Sequence, residues 1–177
     1  MPEIWLSQDQ TEEEQLFRES VRRFVVESVN PLVFEAKKDY EAVSRKIYLK
    51  AAEQGILSLS IPQQYAGQGG SAVLQGIARE ELGRSSVIGY GLPFPLSSTH
   101  INFVEGCPEH LVKEWMPKFL QGEARLGIGS TEPKSGSDVA SIASSAVKQG
   151  DKYVLNGEKG PMSGISSTDA FVVLVRT

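Results

Sequence analysis

Residues 110–138 read HLVKEWMPKFLQGEARLGIGSTEPKSGSD, and the chain changes character inside them. The first half is amphipathic. Leu111, Val112, Trp115 and Met116 fall on one side of a helix that follows Pro108, and Leu120 continues it. Gln121-Gly122 ends that helix. From Ala124 onward, Gly127, Gly129, Gly136, Gly150, Gly157, Gly160 and Gly164 cut the chain into short pieces. Between them, 143–147, 153–155 and 171–175 read as strands. Gln149-Gly150-Asp151 and Asn156-Gly157 supply turns, the second a strong hairpin signal. The expected fold class is α+β. An all-helical N-terminal domain fills residues 1–123, and 124–177 begin an incomplete antiparallel β domain.

Upstream, the pattern is helical. Asp9 and Thr11 are N-cap candidates, and Thr11 with Glu14 has capping-box spacing. Leu16, Phe17, Val21, Phe24 and Val25 then form one apolar face, and Asn30-Pro31 is expected to end the helix. A second helix over 40–54 has apolar positions at Ala42, Ile47, Leu49, Ala51 and Ala52, with Gly55 as a left-handed cap. Residues 56–70 are loop-rich. Ser71 caps a helix that runs to Leu82 and is closed by Gly83. A further helix is expected within 89–104, interrupted early by Pro93 and Pro95.

Composition excludes several classes of function. The 177 residues are 40% hydrophobic and 23% charged, the profile of a globular protein. A net charge of −4 gives no footprint for nucleic acid. Cys107 stands alone, so a disulfide framework is excluded and a neutral, packed thiol is expected. Residues 1–15 lack the features of a leader, and no apolar run reaches the roughly 20 residues that span a bilayer. A cytoplasmic protein is expected, or a mitochondrial matrix one if a leader has been removed. No metal-ligand spacing or nucleophile elbow occurs, so no metal site is expected. His100 and His110 read as surface or capping residues, Trp5 and Trp115 as packing groups. Gly67 to Ala72 fits G-x-G-x-x-A, but Pro62 interrupts its approach and 87–93 holds no acid. It reads as a glycine-rich turn.

The chemistry concentrates in Thr131-Glu132-Pro133-Lys134-Ser135-Gly136-Ser137-Asp138. A strand end here turns into a loop dense in hydroxyls. Such a loop exposes amide and side-chain donors that suit a flat, acceptor-rich ring or a phosphate. The same residues also suit a plain turn between strands.

This segment resembles the TEP-x-x-GSD signature of the acyl-CoA dehydrogenase family. The resemblance extends through GILSLSIPQQYAGQGG at 55–70, HLVKEWMPKFLQGEARLGIGSTEP at 110–133 and GDKYVLNGEKGPMSGISSTDAFVVLVRT at 150–177, in order. It implies that the β domain is of that family's type. It implies an FAD enzyme that removes the α-proton of an acyl-CoA thioester with a carboxylate while the β-hydrogen leaves as hydride, as in fatty-acid β-oxidation. Electron-transfer flavoprotein or a similar acceptor, and a homo- or hetero-oligomer, are the implied partners. By resemblance, Ile128, Ser130 and Thr131 contact the flavin ring, with Thr131 foremost. Gly136 and Ser137 lie near the FAD pyrophosphate, Ser137 also near the thioester. Ser163 lies near flavin N5, and Met162 is a further cofactor-binding residue. Glu132 is expected to be a structural acid. The catalytic base is expected beyond Thr177, so no catalytic residue lies within 1–177. Pro161 stands where the family usually has an aromatic. That departure and the missing base keep two alternatives open: a non-catalytic subunit of a heteromeric dehydrogenase, or a related flavoprotein oxidase or monooxygenase.

Overall fold

The computed structural model describes residues 10–85, 99–162 and 164–177. Trp5, Asp9, the early part of the expected 89–104 helix, and Ser163 lie outside them.

Helix α1 (Glu12–Phe24) opens with the expected capping box. The Glu14 amide donates to Thr11 Oγ1 at 3.2 Å, and the Thr11 amide donates to Glu14 Oε2 at 2.9 Å. Val21 and Phe24 face inward, but Leu16 is exposed, so the buried stripe is narrower than the sequence pattern. Asn30-Pro31 does not stop the winding. The chain widens into a π turn (Val25–Val29), tightens into a 3₁₀ turn (Asn30–Leu32) and continues as α2 (Val33–Ala36). Pro31 sits in the first positions of the 3₁₀ turn, where its missing N–H needs no partner. Replacing Thr11 by alanine removes one of the two box bonds. It should cost about 1 kcal/mol in a denaturant titration.

Helix α3 (Tyr40–Glu53) is capped by Asp39, whose Oδ1 accepts from the Ala42 amide. Its buried face is Val43, Ser44, Ile47, Tyr48 and Ala51, while the expected Ala42 and Leu49 point outward. The large Tyr48 beside Ile47 sets that face. Gly55 takes the expected left-handed conformation, with φ +71°. The loop that follows is not superficial: Ile56, Leu57, Leu59 and Ile61 are all buried. Helix α4 (Ala72–Gly83) is capped by Ser71 as expected, and Gly83 is its last residue. Helices α5 (Thr99–Gly106) and α6 (Glu109–Leu120) complete the helical part.

Two cores result. One joins α1, α2, α3 and α4 with Ile56, Leu57 and Leu59. The other gathers Ile61, Phe103 and Val104 with Val112, Met116 and Phe119 of α6, and reaches Ala124 and Leu126. In it Phe119 meets Phe103 edge-on at 5.4 Å and stacks with Trp115 at 5.8 Å. Trp115 is a packing group, as expected. Cys107 is half-buried, and burial pushes its thiol pKa up.

The strands are β1 (Leu126–Gly129), β2 (Ser145–Gln149), β3 (Lys152–Asn156) and β4 (Ala170–Val173). β2 and β3 form an antiparallel hairpin through the Gly150-Asp151 turn, with Ser145 opposite Asn156. Asn156-Gly157, read as the stronger hairpin signal, ends β3 instead, and a Cβ at Gly157 would lie 2.4 Å from Ser144 Cβ, so that glycine answers to a close approach. β1 and β4 departed from the expectation: they pair in parallel, Leu126 opposite Ala170. The long excursion between them lets the chain return in the same direction, as parallel pairing requires. The expected strand at 171–175 lies one residue earlier at its start and ends at Val173. Among the described residues, no helix is long and apolar enough to cross a membrane.

Candidate functional site

β1 delivers the candidate residues. Its start is fixed on α3 by Arg125 and Asp169. The Arg125 amide donates to Asp169 Oδ2 at 2.8 Å, and Arg45 donates to Asp169 Oδ1 at 3.2 Å. The Arg125 guanidinium donates to Ser44 Oγ at 2.8 Å and lies over the Tyr48 ring. Burial, then the nearby Arg45, holds the Arg125 pKa below its ordinary value.

At its other end β1 places Ile128, half-buried and opposite Val172, then Gly129, Ser130 and Thr131. Gly129 lies beside Met162 and Lys159. A Cβ there would lie 3.5 Å from Met162 Cε and 3.6 Å from Lys159 Cγ. The structure therefore brings Ile128, Ser130, Thr131 and Met162 to one corner. Gly136 and Ser137 stand on the exposed loop beyond it. Among the described residues, no hydrogen bond joins them to that corner.

Glu132 organises the corner from behind. Its carboxylate accepts from the Ala143 amide at 2.6 Å, the Ser144 amide at 2.9 Å and Lys159 Nζ at 2.7 Å. These contacts, the Ala143 amide foremost and then Lys159, hold its pKa down at about 2. A carboxylate so engaged is a weak proton acceptor, so the expected structural role agrees with the geometry. The same bonds explain a boundary error. Residues 143 and 144 were expected to open a strand, but their amides are taken by Glu132, so β2 begins at Ser145.

Two hydroxyls of the loop are spent internally: Ser135 and Ser141 both donate to the Asp138 carbonyl, at 2.7 and 2.9 Å. Arg176 donates from Nε to the Ile142 carbonyl at 2.5 Å and from Nη2 to the Ala140 carbonyl. What remains is a set of open donors. Among the described residues, neither the Thr131 amide nor the hydroxyls of Ser130, Thr131 and Ser137 make a hydrogen bond. A Cβ added at Gly136 would meet nothing within 4 Å, so the loop has room in front of it. Unpaired donors at the end of a strand, beside an accessible thioether, fit a flat ring with acceptors along its edge.

Sequence reasoning missed Lys159 and Arg176. Lys159 lies in a segment read for its turns, and Arg176 was read only as the residue after a strand. For Arg176 the available signal was charge: it is a cation after a run of apolar residues.

The family profile described as "Acyl-CoA dehydrogenase, N-terminal domain" matches residues 11–123. The mitochondrial long-chain specific acyl-CoA dehydrogenase of Sus scrofa is 32% identical over 165 residues, covering 93% of this chain and 38% of that protein. A solved glutaryl-CoA dehydrogenase from Mycobacterium smegmatis aligns with a TM-score of 0.83 at 27% identity, over 96% of this chain and 44% of that one. Another, from the same organism and solved in complex with FADH2, aligns with a TM-score of 0.80 over 96% of this chain and 44% of that one. At 22% identity, it shows likeness of fold. The chain thus spans less than half the length of these relatives.

Proposed function

This chain belongs to the acyl-CoA dehydrogenase family, and we propose that its Ile128–Thr131 corner holds one edge of the FAD ring in a protein that dehydrogenates an acyl-CoA thioester. The observation that carries this reading is the unpaired donor set at Thr131, next to Met162. In it, residues 1–123 are the helical support and 124–177 carry the flavin edge.

FAD, when bound, supplies the acceptor for the β-hydrogen. The chain's own part is to bind and orient. The Thr131 amide and hydroxyl donate to acceptor atoms on the ring edge. Donors aimed there favour the electron-rich, reduced ring more than the oxidised one. Met162 would offer the ring a polarisable thioether contact. Ser137, open on its loop, donates toward the pyrophosphate or the thioester carbonyl. Glu132 does not serve as the base, because the donors Ala143, Ser144 and Lys159 hold it as a weakly basic carboxylate. The base comes from outside residues 1–177. A separate acceptor such as electron-transfer flavoprotein then reoxidises the protein.

The test uses the protein as its gene encodes it. It should purify with bound flavin whose visible absorbance bleaches on adding an acyl-CoA. A colourless protein that takes up no FAD from solution ends this reading. Thr131→Val keeps the branched shape and removes the hydroxyl. It should weaken FAD binding roughly tenfold, the value of one ordinary hydrogen bond. Fluorescence titration of the apoprotein reads this directly.

A further inference from the structure

We propose that Lys159 is a positioning residue for the flavin corner: its ammonium fixes the peptide plane that aims the Thr131 amide. The inference rests on the flavin reading above for its ligand, and on geometry alone for the latch itself.

Lys159 Nζ donates to two groups that flank Thr131. It reaches the Ser130 carbonyl at 3.2 Å and Glu132 Oε1 at 2.7 Å. Both side chains of the ion pair are nearly out of solvent, at 9% for Lys159 and 6% for Glu132. The next residue joins in: the Gly160 amide donates to the Thr131 carbonyl at 2.9 Å. On the far side, the Glu132 amide donates to the Ser135 carbonyl at 2.8 Å.

A peptide unit is planar and trans, so its C=O and N–H point in opposite directions. Ser130 C=O and Thr131 N–H belong to one such unit. Holding the oxygen on Lys159 therefore directs the Thr131 N–H away from Lys159, outward from the corner. The following unit, Thr131 C=O with Glu132 N–H, is held at both ends. Thr131 is thus suspended between two anchored planes, and its own N–H and hydroxyl are the groups left over. A ligand that meets this residue meets donors whose direction was set before binding. That pre-organisation reduces what the ligand must spend on ordering the chain.

Lys159 is also the hinge of the grip. Its stem lies beside Gly129, where an added Cβ would meet Lys159 Cγ at an ordinary contact distance of 3.6 Å. Its hydrogen bond, after that of the Ala143 amide, helps keep Glu132 ionised, while Glu132 draws the Ala143 and Ser144 amides inward. One cation thereby registers three separate segments, 130–132, 143–144 and 159–160.

The experiment compares wild type, Lys159→Met and the double variant Lys159→Met/Glu132→Gln in the protein as encoded. Three readouts are taken: amide exchange of the apoprotein, thermal midpoint, and FAD affinity with the visible spectrum of bound flavin. Lys159→Met should speed exchange at Ala143, Ser144 and Gly160, weaken FAD at least about tenfold, and alter the bound-flavin spectrum. The double variant removes the stranded buried carboxylate, so it should recover much of the thermal midpoint. It should not recover FAD affinity or the wild-type spectrum. If affinity and spectrum return together with the midpoint, Lys159 only stabilises and the proposal falls. Unchanged amide exchange in Lys159→Met also overturns it, whether or not flavin binds. If wild type takes up no FAD, the flavin reading fails by itself, and the exchange data alone then decide for or against the latch.

Discussion

Gly67→Ala should destabilise the chain by about 4 kcal/mol or more, in the exceptional range for a single substitution. A Cβ at Gly67 would lie 1.9 Å from the Ile61 carbonyl oxygen and 2.5 Å from Ile61 Cβ. The obstacle is backbone, not the end of a flexible side chain, so a rotamer change cannot relieve it. The oxygen is also committed, because it accepts from the Gly69 amide at 2.8 Å. Relief would require the 61–67 turn to open. Ile61 belongs to the core that reaches Leu126, and nearby Leu59 belongs to the core of α1 to α4. Opening the turn therefore loosens both cores at their junction and, through β1, the corner that carries Thr131. Urea unfolding followed by circular dichroism checks the expectation. A wild-type midpoint in Gly67→Ala would mean that the turn does not close on Ile61 as described.

That result also bears on how the sequence is read. Gly67 to Ala72 has the spacing of a dinucleotide fingerprint, yet its glycines answer to chain packing. Gly67 clears Ile61, and Gly70 clears Leu59, whose Cδ1 would lie 2.6 Å from an added Cβ. Local signals were legible where the determining atoms are neighbours in sequence: Thr11 with Glu14, Ser71 with Leu74, Gly150-Asp151 as the turn between β2 and β3. They failed where a distant residue decides. Ala143 and Ser144 look like strand residues until Glu132 takes their amides from eleven and twelve positions away. Pro31 looks like a helix stop until the π turn before it is seen. The parallel pairing of β1 with β4 has no local signature at all. At the candidate site, Ile128, Ser130, Thr131 and Met162 were named through resemblance. The grip of Lys159 was not, because it depends on a side chain reaching back 27 residues to Glu132.

Glu81→Ala should cost about 3 kcal/mol, toward the lower end for breaking a buried ion pair. Glu81 is 1% exposed and joins α4 to α1. Arg18 Nη1 donates to it at 2.7 Å, and Arg22 donates twice at 3.0 Å. Removing the carboxylate leaves the Arg18 and Arg22 guanidinium groups, neighbours on α1, without the acceptor they share on α4. Arg22 is half-exposed and can turn to water, and Arg18 keeps Glu80 at 2.8 Å, which places the loss low in the range. Glu81→Gln keeps the volume and one acceptor, so its loss should be smaller. The pH dependence separates this pair from simple packing. Burial alone would push the Glu81 pKa up, but hydrogen bonds from Arg22 and Arg18 outweigh it and leave the value below the ordinary 4.5. Glu132 is lower still, at about 2. A group that binds its proton more weakly when folded adds stability above its unfolded pKa, and that stability fades as pH falls through the folded value. Wild-type stability should therefore decline below pH 4.5, and the Glu81→Ala curve should decline less steeply. The two curves should converge in acid, where wild-type Glu81 is protonated and its advantage is gone. Curves that stay parallel down to acid unfolding would show that Glu81 stabilises the helix contact through packing, with no contribution from its charge.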